Sequence, residues 1–125
     1  MHIVAEFSGI ERKKLEDVTI VEAIMNKVAS EAKLNVIHKI SHQFKPSGAS
    51  IIYMISESHI SIHTWPEHNY AAVDIFTCGE EGNAEDAYKV FVRELKPKKI
   101  RRKIFRLKHL EKLQEKNPVK QYLHE

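Results

Sequence analysis

The chain has 125 residues, 42% of them hydrophobic and 30% charged, and a net charge of +3. That suits one compact domain, 1–125, around one core and excludes a disordered polar segment. No apolar run approaches the roughly 20 residues that span a bilayer, and Met1-His2-Ile3-Val4 leads into a strand pattern instead of a signal peptide. A single cysteine excludes an internal disulfide, so a cytoplasmic protein free of membrane is expected.

His2-Ile3-Val4-Ala5-Glu6-Phe7-Ser8 reads as a strand. Thr19 followed by Glu22 has the form of a capping box, and Val21, Ile24, Met25, Val28 and Ala32 then recur at helical spacing to about Lys33. Asn35 to Phe44 and Ala49 to Ile55 read as strands around a Pro46-Ser47-Gly48 turn. His59 to Thr64 and Tyr70 to Thr77 form a second pair, joined through Pro66-Glu67-His68-Asn69. Asn83 is placed to cap a second helix, with Ala87, Val90, Phe91 and Leu95 on its apolar stripe and Pro97 beyond its end. Lys99 to Leu107 reads as a last strand, and the segment from Lys112 to Glu125 as a helical or frayed tail.

This order predicts an α+β fold, a two-layer sandwich of a mainly antiparallel sheet with two helices on one face. Several strands carry apolar residues at both parities. Tyr70 to Phe76 in particular reads as buried on both sides. The uncovered face therefore calls for a second copy, giving a homodimer packed sheet to sheet as a four-layer αββα assembly.

From Lys96 onward the chain carries eleven Lys or Arg against three Glu. Without an aromatic ladder, such a run reads as a solvated face and tail, and no nucleic-acid partner is expected. His59, His63 and His68 raise the question of a metal. Yet His59 and His63 stand about 13 Å apart on an extended chain, too far for zinc bonds of about 2 Å, and no metal is expected.

Turn lengths set the pairing. Strands 59–64 and 70–77 pair at position sums of about 135 or 136, which sets Ser58 opposite Cys78 or one place from it. Strands 49–55 and 59–64 pair at sums of about 113 or 114, which sets Ser50 beside His63. Ser58 and His63 are about 16 Å apart along an extended chain and on opposite faces, so a bulge or bend near Ser58 is expected if one strand is to serve both. Otherwise two half-sites, Ser58 with Cys78 and Ser50 with His63, meet across a two-fold dimer.

The stretch Glu57-Ser58-His59-Ile60-Ser61-Ile62-His63, with Thr64-Trp65-Pro66-Glu67 and Phe76-Thr77-Cys78-Gly79 after it, resembles the prokaryotic S-adenosylmethionine decarboxylases. Similarity extends from His2-Ile3-Val4-Ala5-Glu6-Phe7 through Cys78-Gly79. Alone, a Ser-His dipeptide, a strand-end cysteine or a packed phenylalanine is ordinarily structural. Their joint occurrence in one pattern carries the resemblance.

What the resemblance implies is a proenzyme that cuts itself between Glu57 and Ser58. The products are a β chain of 1–57 and an α chain of 58–125, headed by a pyruvoyl cofactor made from Ser58. His63 matches the histidine that handles the proton in processing, and Ser50 a serine that assists it. Cys78 matches the proton donor of decarboxylation. Phe7, Phe44 and Trp65 are the aromatic candidates for the substrate's adenine ring or sulfonium, and Glu67 matches a carboxylate for ribose hydroxyls. The implied reaction turns S-adenosylmethionine into carbon dioxide and the aminopropyl donor of spermidine synthesis. A pyruvoyl-dependent arginine or ornithine decarboxylase is the nearest alternative. A non-catalytic RNA- or acidic-partner-binding module is the alternative of another class.

Overall fold

The computed structural model describes residues 1–56, 58–78 and 81–116. Glu57, Gly79 and the 117–125 part of the C-terminal tail lie outside the described residues. Six strands and three helices follow one another: β1 (His2–Ser8), α1 (Val18–Glu31), β2 (Val36–Gln43), β3 (Ala49–Ile55), β4 (Ser58–Trp65), β5 (Tyr70–Phe76), α2 (Glu81–Leu95), β6 (Lys99–Phe105) and α3 (Lys108–Lys116). The strands form one sheet in the order β2-β3-β4-β5-β1-β6, and every neighbouring pair is antiparallel. This is the expected α+β sandwich, with α3 added after the last strand.

Alternation decides which face is covered. Ile3, Ala5 and Phe7 of β1, Ile51, Tyr53 and Ile55 of β3, Ile60 and Ile62 of β4, and Val73 and Ile75 of β5 are buried. They share a core with Val21, Met25 and Val28 of α1 and with Ala87, Phe91 and Leu95 of α2. Burying each large apolar side chain contributes about 1.5–3 kcal/mol, which fixes the register of every strand that takes part. Two ionic contacts join the helices, Arg93 with Glu31 and Lys27 with Glu94.

The opposite face is open. It exposes Ile40, Ile52, Met54, Val4 and Phe105. Within one chain β5 is accordingly buried on one side and half-buried on the other.

Two local expectations are corrected. Asp17, not Thr19, caps α1: its Oδ1 accepts the Thr19 N–H at 2.8 Å, a task a carboxylate performs well, and Thr19 lies inside the first turn. α2 begins at Glu81, so Asn83 lies within it. Within β4 no bulge intervenes between Ser58 and His63, because the strand runs without a register shift against both β3 and β5, so a single strand does not serve both residues. The sheet's register shift falls instead in β2, between Val36 and His38.

Candidate active site

Ser50 and His63 are paired across β3 and β4, and Ser50 Oγ lies 2.6 Å from His63 Nδ1. The hydroxyl donates to Nδ1, or accepts from it, according to the ring tautomer. Both side chains stand on the open face, since the residues flanking them in sequence, Ala49, Ile51, Ile62 and Thr64, are buried on the other side.

The two strands are locked next to this pair. Buried Thr64 donates its hydroxyl to the Leu15 carbonyl at 2.8 Å and accepts the Ala49 N–H at 2.8 Å. A hydroxyl that makes both bonds in a dry site resists displacement, because either partner left alone costs about 1–3 kcal/mol.

Ser58 opens β4 at the other end. Its alternation with Ile60, Ile62 and Thr64 puts it on the helix-covered face, and its Oγ accepts the Cys78 backbone N–H at 3.0 Å. With His59 opposite Phe76, the ladder carries Ser58 toward Thr77 and Cys78. Both half-sites read from turn lengths are thus formed, and β4 keeps them apart.

The aromatic candidates separate. Phe44 follows β2 in an exposed turn, with its ring edge-on to His42 at 4.6 Å. Trp65 ends β4, half-exposed, 5.5 Å from the Tyr70 ring and 6.5 Å from that of His63. Glu67 is exposed in the short helical turn Pro66–His68. The Phe44 turn packs against that turn, for a Cβ on Gly48 would lie 3.4 Å from Pro66 Cδ. Phe44, Trp65 and Glu67 therefore lie on or beside neighbouring turns at the end of the sheet nearer His63.

Phe7 does not join them. It is fully buried on the helix side, its ring 6.1 Å from that of Tyr88. Its assignment as a stacking residue is corrected to a core residue, because a ring with no exposed surface has no face to offer a ligand.

Two groups escaped the sequence reading. His42 lies directly across from Ser50, making a His42-Ser50-His63 row on three adjacent strands. Extending the turn-length arithmetic to β2 and β3 finds it. The other is Asp74, whose Oδ1 lies 2.6 Å from His2 Nε2 and 3.6 Å from His59 Nε2. No sequence signal joins residues 2, 59 and 74, since β1 reaches β5 only through the sheet order.

Tyr70 also faces this side and donates to Glu6 at 2.8 Å. Burial, and then the Glu6 carboxylate, push its phenol up to about 12. It stays protonated at neutral pH and acts as a donor.

A protein-family model described as S-adenosylmethionine decarboxylase matches residues 1–106. The chain belongs to the S-adenosylmethionine decarboxylase family.

Among curated members, the S-adenosylmethionine decarboxylase proenzyme of Sulfurihydrogenibium sp. (strain YO3AOP1) is 41% identical over 104 residues, covering 83% of this chain and 78% of its own. The proenzyme of Archaeoglobus fulgidus is 39% identical over 100 residues, 80% of this chain and 89% of its own. Among solved structures, the adenosylmethionine decarboxylase from Aquifex aeolicus vf5 matches with a TM-score of 0.79 and 33% identity, over 85% of this chain and 92% of that one. The Trypanosoma brucei AdoMetDC-delta26 monomer matches at 0.63 and 18% identity, over 81% of this chain and 44% of its own, a likeness of fold alone. Among the described residues of this decarboxylase-family chain, no helix is long and apolar enough to cross a membrane.

Proposed function

We propose that the chain is a self-processing, pyruvoyl-dependent decarboxylase of S-adenosylmethionine, working in the cytoplasm as a homodimer whose sites draw on both subunits. Family membership supports the reaction. The single observation that carries the shared site is the division of one strand, with Ser58 beside Cys78 on one face and His63 bonded to Ser50 on the other. The apolar side chains exposed on the open face support a second copy packed there.

The residues at Ser58 fit the prosthetic group. The Ser58 hydroxyl accepts the Cys78 backbone N–H, so a thiol residue is its neighbour, and in sequence it directly follows the Glu57 carbonyl it would attack. A pyruvoyl group made from Ser58 would supply an electron sink for the charge left when carbon dioxide departs. This chain's own side chains do the rest. Ser50 and His63 move the proton of self-cleavage. Cys78 holds its thiol proton for the substrate carbon. Phe44 and Trp65 offer ring faces to the adenine or the sulfonium, and Glu67 offers oxygens to ribose hydroxyls.

The comparisons favour neither an arginine or ornithine substrate nor a binding module. The test is the denatured mass of purified protein together with carbon dioxide release. Fragments of 1–57 and 58–125, and release from carboxyl-labelled S-adenosylmethionine but not arginine or ornithine, are expected. An intact chain that releases nothing sinks the proposal.

A further inference from the structure

The turn that carries Phe44 is held by one side chain. Gln43, the last residue of β2, has its Nε2 2.9 Å from each of the carbonyl oxygens of Glu16, Phe44 and Gly48. Its Oε1 accepts the Val18 N–H at 2.6 Å. Two amide hydrogens are thus shared among three carbonyls, and the amide oxygen takes an N–H that the first turn of α1 leaves without a helical partner. Two main-chain bonds follow the same path, Phe44 N–H to Gly48 O at 2.8 Å and Gly48 N–H to Glu16 O at 2.9 Å.

The ring of Phe44 lies between His42 on the open face and a cleft of about 620 Å³ against the start of α1. Gln43, Glu16 and Ile20 line that cleft with it. Nothing else among the hydrogen bonds of the described residues ties the turn to α1 through a side chain.

We propose that Gln43 is a positioning residue: its carboxamide fastens the 44–48 turn to the start of α1 and so sets where the Phe44 ring meets the substrate. The inference rests on Phe44 being a substrate contact, as read above. Only a side chain with donor and acceptor on one rigid plane meets both demands. A glutamate of the same length would aim acceptors at three carbonyls, and a methionine would offer them no donor.

The test is a double-mutant cycle on the full chain, comparing wild type, Gln43→Glu, Phe44→Ala and the double variant, with Gln43→Met as a second substitution. Fragment masses report self-cleavage, and labelled S-adenosylmethionine gives kcat and KM. Gln43→Glu is expected to cleave itself as wild type does and to raise KM about tenfold, with kcat within about threefold. In the Phe44→Ala background the same change is expected to add almost nothing, since both act through one ring. An equal rise in KM with and without Phe44 overturns the inference. An unchanged KM in both Gln43 variants, with KM raised in Phe44→Ala, overturns it while leaving the substrate contact intact. An unchanged KM in Phe44→Ala overturns the contact itself, and the inference with it. Should Gln43→Glu fail to fold, Gln43→Met decides by the same criteria.

Discussion

Ser58 and His63 share strand β4 but project from opposite faces of its sheet. The strand pairs without a shift on both sides, so the five-residue offset cannot be reversed inside it. Within one chain the sheet itself separates them, and the function proposed above draws them from two chains.

Subunit mixing tests this directly. Ser58→Ala and His63→Ala are each expected to stay uncleaved when expressed alone. When they are co-expressed with different tags, the His63→Ala chain should yield the 58–125 fragment, as the shared site proposed above requires. Cleavage of neither chain would place the whole site within one subunit.

Cys78 touches Ser58 through its backbone N–H, which any residue but proline supplies. Cys78→Ala is accordingly expected to leave the cut between 57 and 58 in place. Decarboxylation should fall by about 10²–10⁴, the usual worth of a positioned proton donor. Mass spectrometry and labelled carbon dioxide separate the two effects. Loss of cleavage equal to the loss of turnover would show that the thiol serves processing as well.

The open face should carry the dimer. Ile52 pairs with Ile40 on one side and Ser61 on the other, in the middle of the exposed apolar surface. Ile52→Asp would bury a carboxylate between Ile40 and Ser61, neither of which offers an opposite charge, at a cost that excludes association. Sedimentation should then report a folded monomer that does not cleave itself. A dimer that survives this change packs through another surface.

The helix layer sets an acid limit. Glu31 is held below the usual carboxylate range chiefly by its hydrogen bonds from Arg93, and Glu94 by those from Lys27 and then Arg93. A carboxylate with a depressed folded-state pKa adds stability that is present above its unfolded value and lost as pH falls through the folded one. Unfolding midpoints should therefore drop below about pH 4. Arg93→Leu should flatten that acid limb, with less effect on its Lys27-bound part. A limb that keeps its slope would assign acid sensitivity to other carboxylates.

Much of this was open to reading in one dimension. Turn lengths alone pair Ser50 with His63, since the arithmetic of a hairpin depends only on residues between its strands. The same arithmetic brings Ser58 to the start of the Thr77-Cys78 segment. The alternation of Ile60, Ile62 and Thr64 against His59, Ser61 and His63 divides the two half-sites with no knowledge of the rest of the molecule.

Three things required the folded chain. Phe7, Phe44 and Trp65 are equivalent as letters, and only packing against Tyr88 removes Phe7 to the core. Asp17 took the cap from Thr19 because the chain entering α1 is held elsewhere, by Thr64, Gln43 and Gly48. The meeting of His2, Asp74 and His59 depends on β1 entering the sheet between β5 and β6. Period and turn length are local properties, readable wherever a short segment must alternate or reverse. Strand order and the choice of covered face arise from contacts between distant segments, and their energies exist only when the whole core has closed.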